Sequence, residues 1–298
     1  MFETAIKELL DSGDLIGIPE SFQAYKARVG ITIKSLSPAG STAKHISIYS
    51  VKGLRPELQE AQCTVFRLGS RNNNRFTHFA LAKVNKDWSD YFLMDEILFT
   101  EEPEFYDISK IPDINFLFNL LPSFSESALV SLSLASGILF KALNLKKQEN
   151  LIIPAQSSGS YTFNFKPLSV SDKILNHVKG QVEIDSFFLA ERDNKKCLFI
   201  VEAKMNKSGR GVEGASLAKH KLLYPILSIQ EHVKDDVTVI PVYIRYIINN
   251  SKKSLNYGKI TINISECSLP RVNGIFGSID KLVPVKNTRY IFNSKNAM

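Results

Sequence analysis

The stretch CLFIVEAK, residues 197–204, restricts the fold more than any other part of the chain. Both of its faces are apolar, as in a strand well inside a sheet, yet it ends in Glu202 and Lys204. Just upstream, GQVEIDSFFLA alternates in the manner of a partner strand and carries Glu183 and Asp185. Between them ERDNKK places Asp193 and Asn194 at the tip of a turn, so the whole reads as one β-hairpin. Alternation puts Glu183 and Asp185 on one face, and Glu202 and Lys204 on one face of the partner, so that the four charges converge. An unpaired carboxylate or ammonium there is strongly unfavourable. Two arrangements compensate it: a structural salt-bridge cluster, or carboxylates that hold a hard divalent cation while the lysine faces a bound anion.

The flanking segments set the fold class. After the hairpin the pattern predicts a helix over about 212–224, kinked or ended near Pro225. VTVIPVYIRYII and KITINIS then read as β-branched strands, with Pro241 expected near an edge or bulge. Before the hairpin, Ser123 and Glu126 form an S-x-x-E capping box that opens one helix, with Leu129, Leu132, Ala135, Ile138, Leu139 and Ala142 at helical spacing. Residues 151–177, with PAQSSGSYTFNFKP, read as an irregular loop with at most one short strand. This order predicts an α/β fold over residues 121–298, with a mixed central β-sheet flanked by helices. Residues 1–120 form an N-terminal α/β or β-rich part. It holds an amphipathic opening helix, the strand-like HISIYSV, and the strands TVFRL and FTHFALAKV joined by GSRNNNR.

Composition narrows the setting. The opening MFETAIKELLDSGDL lacks the basic start and long apolar core of a signal peptide. The most apolar run, residues 128–143, contains three serines and a glycine and is too short and polar to span a bilayer. Cys63, Cys197 and Cys267 are far apart and lack CxxC spacing, which argues against a disulfide framework or a zinc ribbon. The expectation is a cytoplasmic chain without membrane contact. A net charge of +7 favours polyanions such as nucleic acid and serves solubility equally well.

The cation-holding arrangement suits phosphodiester hydrolysis. Mg²⁺ held by two carboxylates and a backbone carbonyl lowers the pKa of a coordinated water and neutralises charge building on the phosphate. A nearby lysine orients or deprotonates the attacking water and stabilises the pentavalent centre. Asp185 followed, after a variable gap, by Glu202-Ala203-Lys204 resembles the pattern of the PD-(D/E)XK nuclease superfamily, which includes many type II restriction endonucleases. The resemblance covers about residues 123–248 and implies a restriction endonuclease-like fold. It also implies Mg²⁺ on Asp185 and Glu202, Lys204 as the catalytic lysine, and a further acid on the helix before the hairpin, matched by Glu126. Ile184 stands where the pattern has proline. For Glu126, helix capping is an equal alternative. For Glu183 the alternatives are a supporting ligand and a solvated hairpin acid. The implied activity is that of a site-specific endonuclease on double-stranded DNA, working as a homodimer because two strands need two sites. The alternatives are a nucleic-acid-binding protein that keeps the fold without cutting, and a repair or junction-resolving nuclease.

Other motifs compete weakly. GRGVEG, residues 209–214, matches GxGxxG, but MNKS separates it from the apolar strand and the next strand ends in IRYIINN without an acid. No nucleotide cofactor is therefore expected. Lys207 and Arg210 in this glycine-rich loop, and Lys221 in the helix beyond it, are candidate contacts to a phosphate backbone or solvated cations. In GSRNNNR, Arg71, Asn73 and Arg75 are candidate readers of base edges, against the alternative of an asparagine-rich turn.

Overall fold

The computed structural model of the chain describes residues 1–31, 45–71, 76–108, 111, 113–114, 116–117, 124–146, 152–206, 214–250, 257–269, 271–272 and 275–293. Its early elements are α1 (Glu3–Ser12), β1 (Glu20–Ser21), α2 (Phe22–Arg28) and α3 (Pro56–Glu60). Then come β2 (Cys63–Arg71), β3 (Phe76–Lys83), β4 (Phe92–Met94), α4 (Asp95–Leu98) and β5 (Glu104–Phe105). The middle of the chain supplies α5 (Glu126–Ala135), α6 (Ile138–Ala142), β6 (Ala155–Phe165), β7 (Leu175–Arg192) and β8 (Lys195–Asn206). The last elements are β9 (Ser216–Ala218), α7 (His220–Ile229), β10 (Thr238–Asn250), β11 (Tyr257–Cys267), β12 (Arg271–Val272), β13 (Ile275–Phe276) and β14 (Pro284–Asn293).

Among the described residues, ten strands form one mixed sheet in the order β1-β3-β2-β7-β8-β10-β11-β14-β5, with β6 also paired to β7. β6, β7 and β8 run antiparallel in succession, and α7 crosses from β8 to its parallel neighbour β10. The α/β class and the mixed sheet with helices agree with the sequence. β7 organises the molecule. Along one edge it pairs with β6, and along the other it meets β2 at Val178 and β8 only from Ser186 onward. On that second edge, the residues between these two partners have no ladder neighbour among the described residues.

Two large cores flank this strand. One packs α5 and α6, through Leu129, Val130, Leu134 and Leu139, against Phe188, Phe199, Val201 and Val242 of the sheet. The other joins Phe2, Phe22, Phe66 and Phe79 to Phe163, Phe165, Leu175 and Tyr224, so apolar residues from both sides of position 120 share it. A smaller cluster of Ile184, Ile200, Ile226 and Val239 seats α7 on the sheet.

Several local expectations are corrected. Residues 155–165 form a full strand rather than a loop, because the alternating serines and glycine face outward while Phe163 and Phe165 enter the core. The single helix after residue 123 is two, broken where Gly137 takes a left-handed φ of 79°. The helix expected over 212–224 begins only at His220, since Ser216–Ala218 pairs with β4, and Pro225 lies inside it. β10 is an interior strand, and Pro241 sits one residue before pairing with β11 begins at Val242. HISIYSV keeps an alternating burial, with Ile46 and Ile48 inside, but forms no strand; the Tyr49 carbonyl accepts from Ala218 N–H and a 3₁₀ turn follows. The hairpin tip is as read: Arg192 pairs with Lys195, and Asp193 and Asn194 both take positive φ, the signature of a type I′ turn. Among the described residues, no helix is long and apolar enough to cross a membrane. The three cysteines are free and buried.

Candidate active site

The candidate site lies where β7 and β8 part. Their last ladder pair is Ser186 with Val201, and one residue further the Asp185 side chain takes over the role of the strand. Its Oδ2 accepts from the Ala203 N–H at 3.1 Å and from the Lys204 ammonium at 3.3 Å. A bulge contributes to this. Ala155 pairs with Phe187 and Ser157 with Ile184, so β7 carries one residue more than β6 across Asp185 and Ser186. Bulges of this kind bend a strand and re-aim its side chains. The alternation of burial continues through Asp185, but Glu183 does not join the cluster; it is exposed and accepts from the Gln181 amide at 2.9 Å.

Lys204 Nζ also donates to Glu202 Oε1 at 2.9 Å, so one ammonium spans both carboxylates. Glu202 is 4% exposed. Burial pushes its carboxyl up to about 7, with Asp185 adding to the rise and Lys204 opposing it. Burial alone would lower the Lys204 ammonium, but Glu202, Asp185 and Glu126 reverse this and hold its pKa above the ordinary value.

Glu126 is not the capping acid. The N-cap of α5 is Ser125, whose Oγ accepts from Ala128 N–H at 3.2 Å, and Glu126 is the first helical residue. Released from that duty, its Oε1 accepts from the Met205 N–H at 3.3 Å, directly beside Lys204. Three acids on separate elements thus surround one lysine: Asp185 on β7, Glu202 on β8 and Glu126 on α5.

On the other side of Lys204 the structure adds groups that the sequence did not single out. The Tyr49 ring lies between two ammonium groups, 3.9 Å from that of Lys221 on α7 and 5.8 Å from that of Lys204. A cleft of about 250 Å³ opens here, lined by Tyr49, Lys204, Asn206, Ser216 and Arg245 among others. Arg245 stands opposite Lys204 in the parallel ladder and is buried. It donates from Nε to Asp95 Oδ2 at 3.0 Å, from Nη1 to Asn206 Oδ1 at 3.2 Å, and from Nη2 to the Ser216 carbonyl at 3.2 Å. Tyr243 donates to Asp95 Oδ1 at 2.8 Å, closing a network that fixes the end of β8. A lone arginine in VIPVYIRYII was the available signal for it. Tyr49 carried none.

Of the candidate nucleic-acid contacts, Lys221 is among the described side chains and lies at the site. Asn73 and Arg75 lie outside the described residues, as do Lys207 and Arg210 and the GRGVEG loop up to Val212 and Glu213. Arg71 ends β2, and its side chain is outside the described set.

The donors suit a hard cation. They are carboxylate oxygens, and the Lys204 ammonium already occupies the position between Asp185 and Glu202 that a positive charge favours. Among the described residues, no three His, Cys, Asp or Glu side chains are grouped closely enough to hold a metal by themselves. Mg²⁺ is commonly bound by one or two carboxylates, with water and substrate phosphate completing its shell, so the pair Asp185 and Glu202 fits it.

Comparison with protein-family models matches residues 99–257 to one described as Domain of unknown function (DUF6997). No curated protein and no solved structure matches the chain.

Proposed function

Because the chain belongs to the DUF6997 family, whose description carries no activity, the function must be argued from the site, and we propose a Mg²⁺-dependent DNA endonuclease of the PD-(D/E)XK kind. The observation that carries this reading is the meeting of Asp185, Glu202 and Lys204 at the point where the β7–β8 ladder opens. The order α5, α6, β6, β7, β8, β9, α7, β10 supports it, since it contains the helix, hairpin, helix and strand that the restriction endonuclease-like resemblance implies.

Asp185 and Glu202 would hold Mg²⁺, which when bound supplies an activated water and neutralises phosphate charge. Lys204, bonded to both carboxylates, orients the nucleophile and stabilises the developing phosphorane. Glu126, bonded to the Met205 backbone, holds the end of β8 and positions Lys204. Lys221 and Tyr49 border the approach to the carboxylates and favour a polyanionic substrate. A double-strand cut uses two such sites, hence a homodimer on double-stranded DNA, within the cell.

Plasmid DNA incubated with the protein and Mg²⁺ should give discrete fragments, and Asp185→Ala and Lys204→Ala should each slow cutting by ~10²-fold or more. One observation favours a second reading. Lys204 bonds both carboxylates at once, as a purely structural ion cluster would, so a binding protein without cleavage is its natural rival. Retardation of DNA on a gel with no cutting would establish that rival, and a preference for branched DNA would indicate junction resolution. Absence of both binding and cutting would end both readings.

A further inference from the structure

A second polar site lies on β7 next to the candidate active site, on the interval that neither β2 nor β8 covers. There a cleft of about 80 Å³ is lined by Tyr49, Arg67, His177, Glu183, Lys221 and Tyr224, with others. Its walls come from both halves of the chain. Arg67 belongs to β2, and Gly69, at φ +74°, lies so close to β7 that a Cβ on it would stand 2.2 Å from the Val178 carbonyl. This approach brings Arg67 to His177.

The polar groups of the cleft are under-used. His177 Nδ1 and the Tyr224 hydroxyl are buried without a hydrogen-bond partner, and His177 is 2% exposed. Such orphaned atoms are rare in folded proteins and call for a missing partner. Among the described residues Arg67 makes one long bond, 3.4 Å to Ser47 Oγ, Lys221 rests on the Tyr49 ring, and neither pairs with a carboxylate. The one acid on the wall, Glu183, is bonded to Gln181. Two cations and a hydroxyl around a space of about 80 Å³ suit a small oxyanion. His177 and His220 also sit neutral beside these cations, their pKa values lowered by burial, to about 4 for His177, with Arg67 and Lys221 adding to the effect.

We infer that this cleft binds a phosphate group of the substrate strand, next to the one attacked. The inference rests on the nuclease reading for the identity of the strand, and on the geometry of the cleft for the phosphate. The phosphate is either a 5′-terminal monoester or an internal diester of the backbone. These two sources share the chemistry and are separated by the test.

Inorganic phosphate is titrated into the full chain by calorimetry, with the imidazole resonances followed by NMR, in EDTA so that no cleavage chemistry is involved. Saturable binding with shifts of the His177 and His220 ring protons is expected. Arg67→Gln and Lys221→Gln, each checked for a native melting transition, should weaken it at least tenfold. Competition by a 5′-phosphorylated duplex but not by its 5′-hydroxyl counterpart assigns the site to strand ends, and competition by both assigns it to the backbone. Absence of phosphate binding, wild-type affinity in both folded variants, or competition by neither duplex would overturn the inference. Cutting of plasmid with no phosphate binding would refute this site alone and leave the nuclease reading standing.

Discussion

At the residue scale, the molecule pays for its polar groups unevenly. Asp185, Glu202 and Lys204 satisfy one another, whereas His177 and His220 are buried as neutral rings among Phe163, Phe66 and Tyr224. Burial takes His220 from its ordinary 6.5 down to about 3 and His177 down to about 4. In the unfolded chain both protonate near pH 6.5, so the unfolded state binds more protons below that value. The stability that these two histidines contribute is therefore complete above about pH 6.5 and is lost as pH falls toward 4, by on the order of a few kcal/mol. Urea midpoints between pH 4 and 8 should show this slope, and His220→Leu should flatten it. An unchanged slope would assign the decline to other groups. Most of the candidate catalytic residues were legible in sequence because a carboxylate and a lysine at the end of an apolar strand demand an explanation. The histidines were not, since a scattered histidine has no pattern, and its burial depends on the neighbours that tertiary packing supplies.

At the scale of elements, the strands and turn of the hairpin were readable. Its alternation, its Asp193-Asn194 tip and its apolar partner strand all point the same way, and the structure follows them. The bulge at Asp185 was not readable, because it arises from the pairing with β6, a segment whose serines and glycine look like a loop until Phe163 and Phe165 find their core. Likewise the S-x-x-E motif pointed to Ser123 as the cap of α5, and Ser125 does the work, since the helix begins later and turns Glu126 toward β8. The junction of β2 with β7 depends on glycine. Alanine at position 69 would combine a strained left-handed backbone with a clash against the Val178 carbonyl. Gly69→Ala should lose more than ~1 kcal/mol in urea denaturation. Gly13 supplies the comparison: its φ is also positive, +70°, but nothing lies within 4 Å, so Gly13→Ala carries the backbone cost alone. Equal losses in the two variants would show that the close approach relaxes freely.

At the scale of the whole molecule, the division near residue 120 suggested by the sequence meets a core that both sides build. Phe163, Phe165, Val182 and Tyr224 pack with Phe2, Phe22 and Phe79. A fragment of residues 121–298 should therefore expose a broad apolar face and aggregate, as light scattering and its soluble yield would reveal. A soluble, monodisperse fragment would mean that the core under α5 and α6 suffices for folding. The sequence could not disclose this sharing, since contacts between distant segments leave no local periodicity, and the family match over residues 99–257 also runs across position 120.

The uncovered interval of β7 has a metric consequence. A strand rises about 3.3 Å per residue, and less where it bulges, as β7 does at Lys179 with its φ of 43°, so the groups mounted along it stand at a spacing set by both. With Asp185 at one end and the wall of Gln181 and His177 toward the other, the same rigid span that supports both stations would act as a ruler. On the proposed nuclease reading, a backbone whose charge repeat matches that span would seat in both at once, and selection by pitch would then precede any reading of bases.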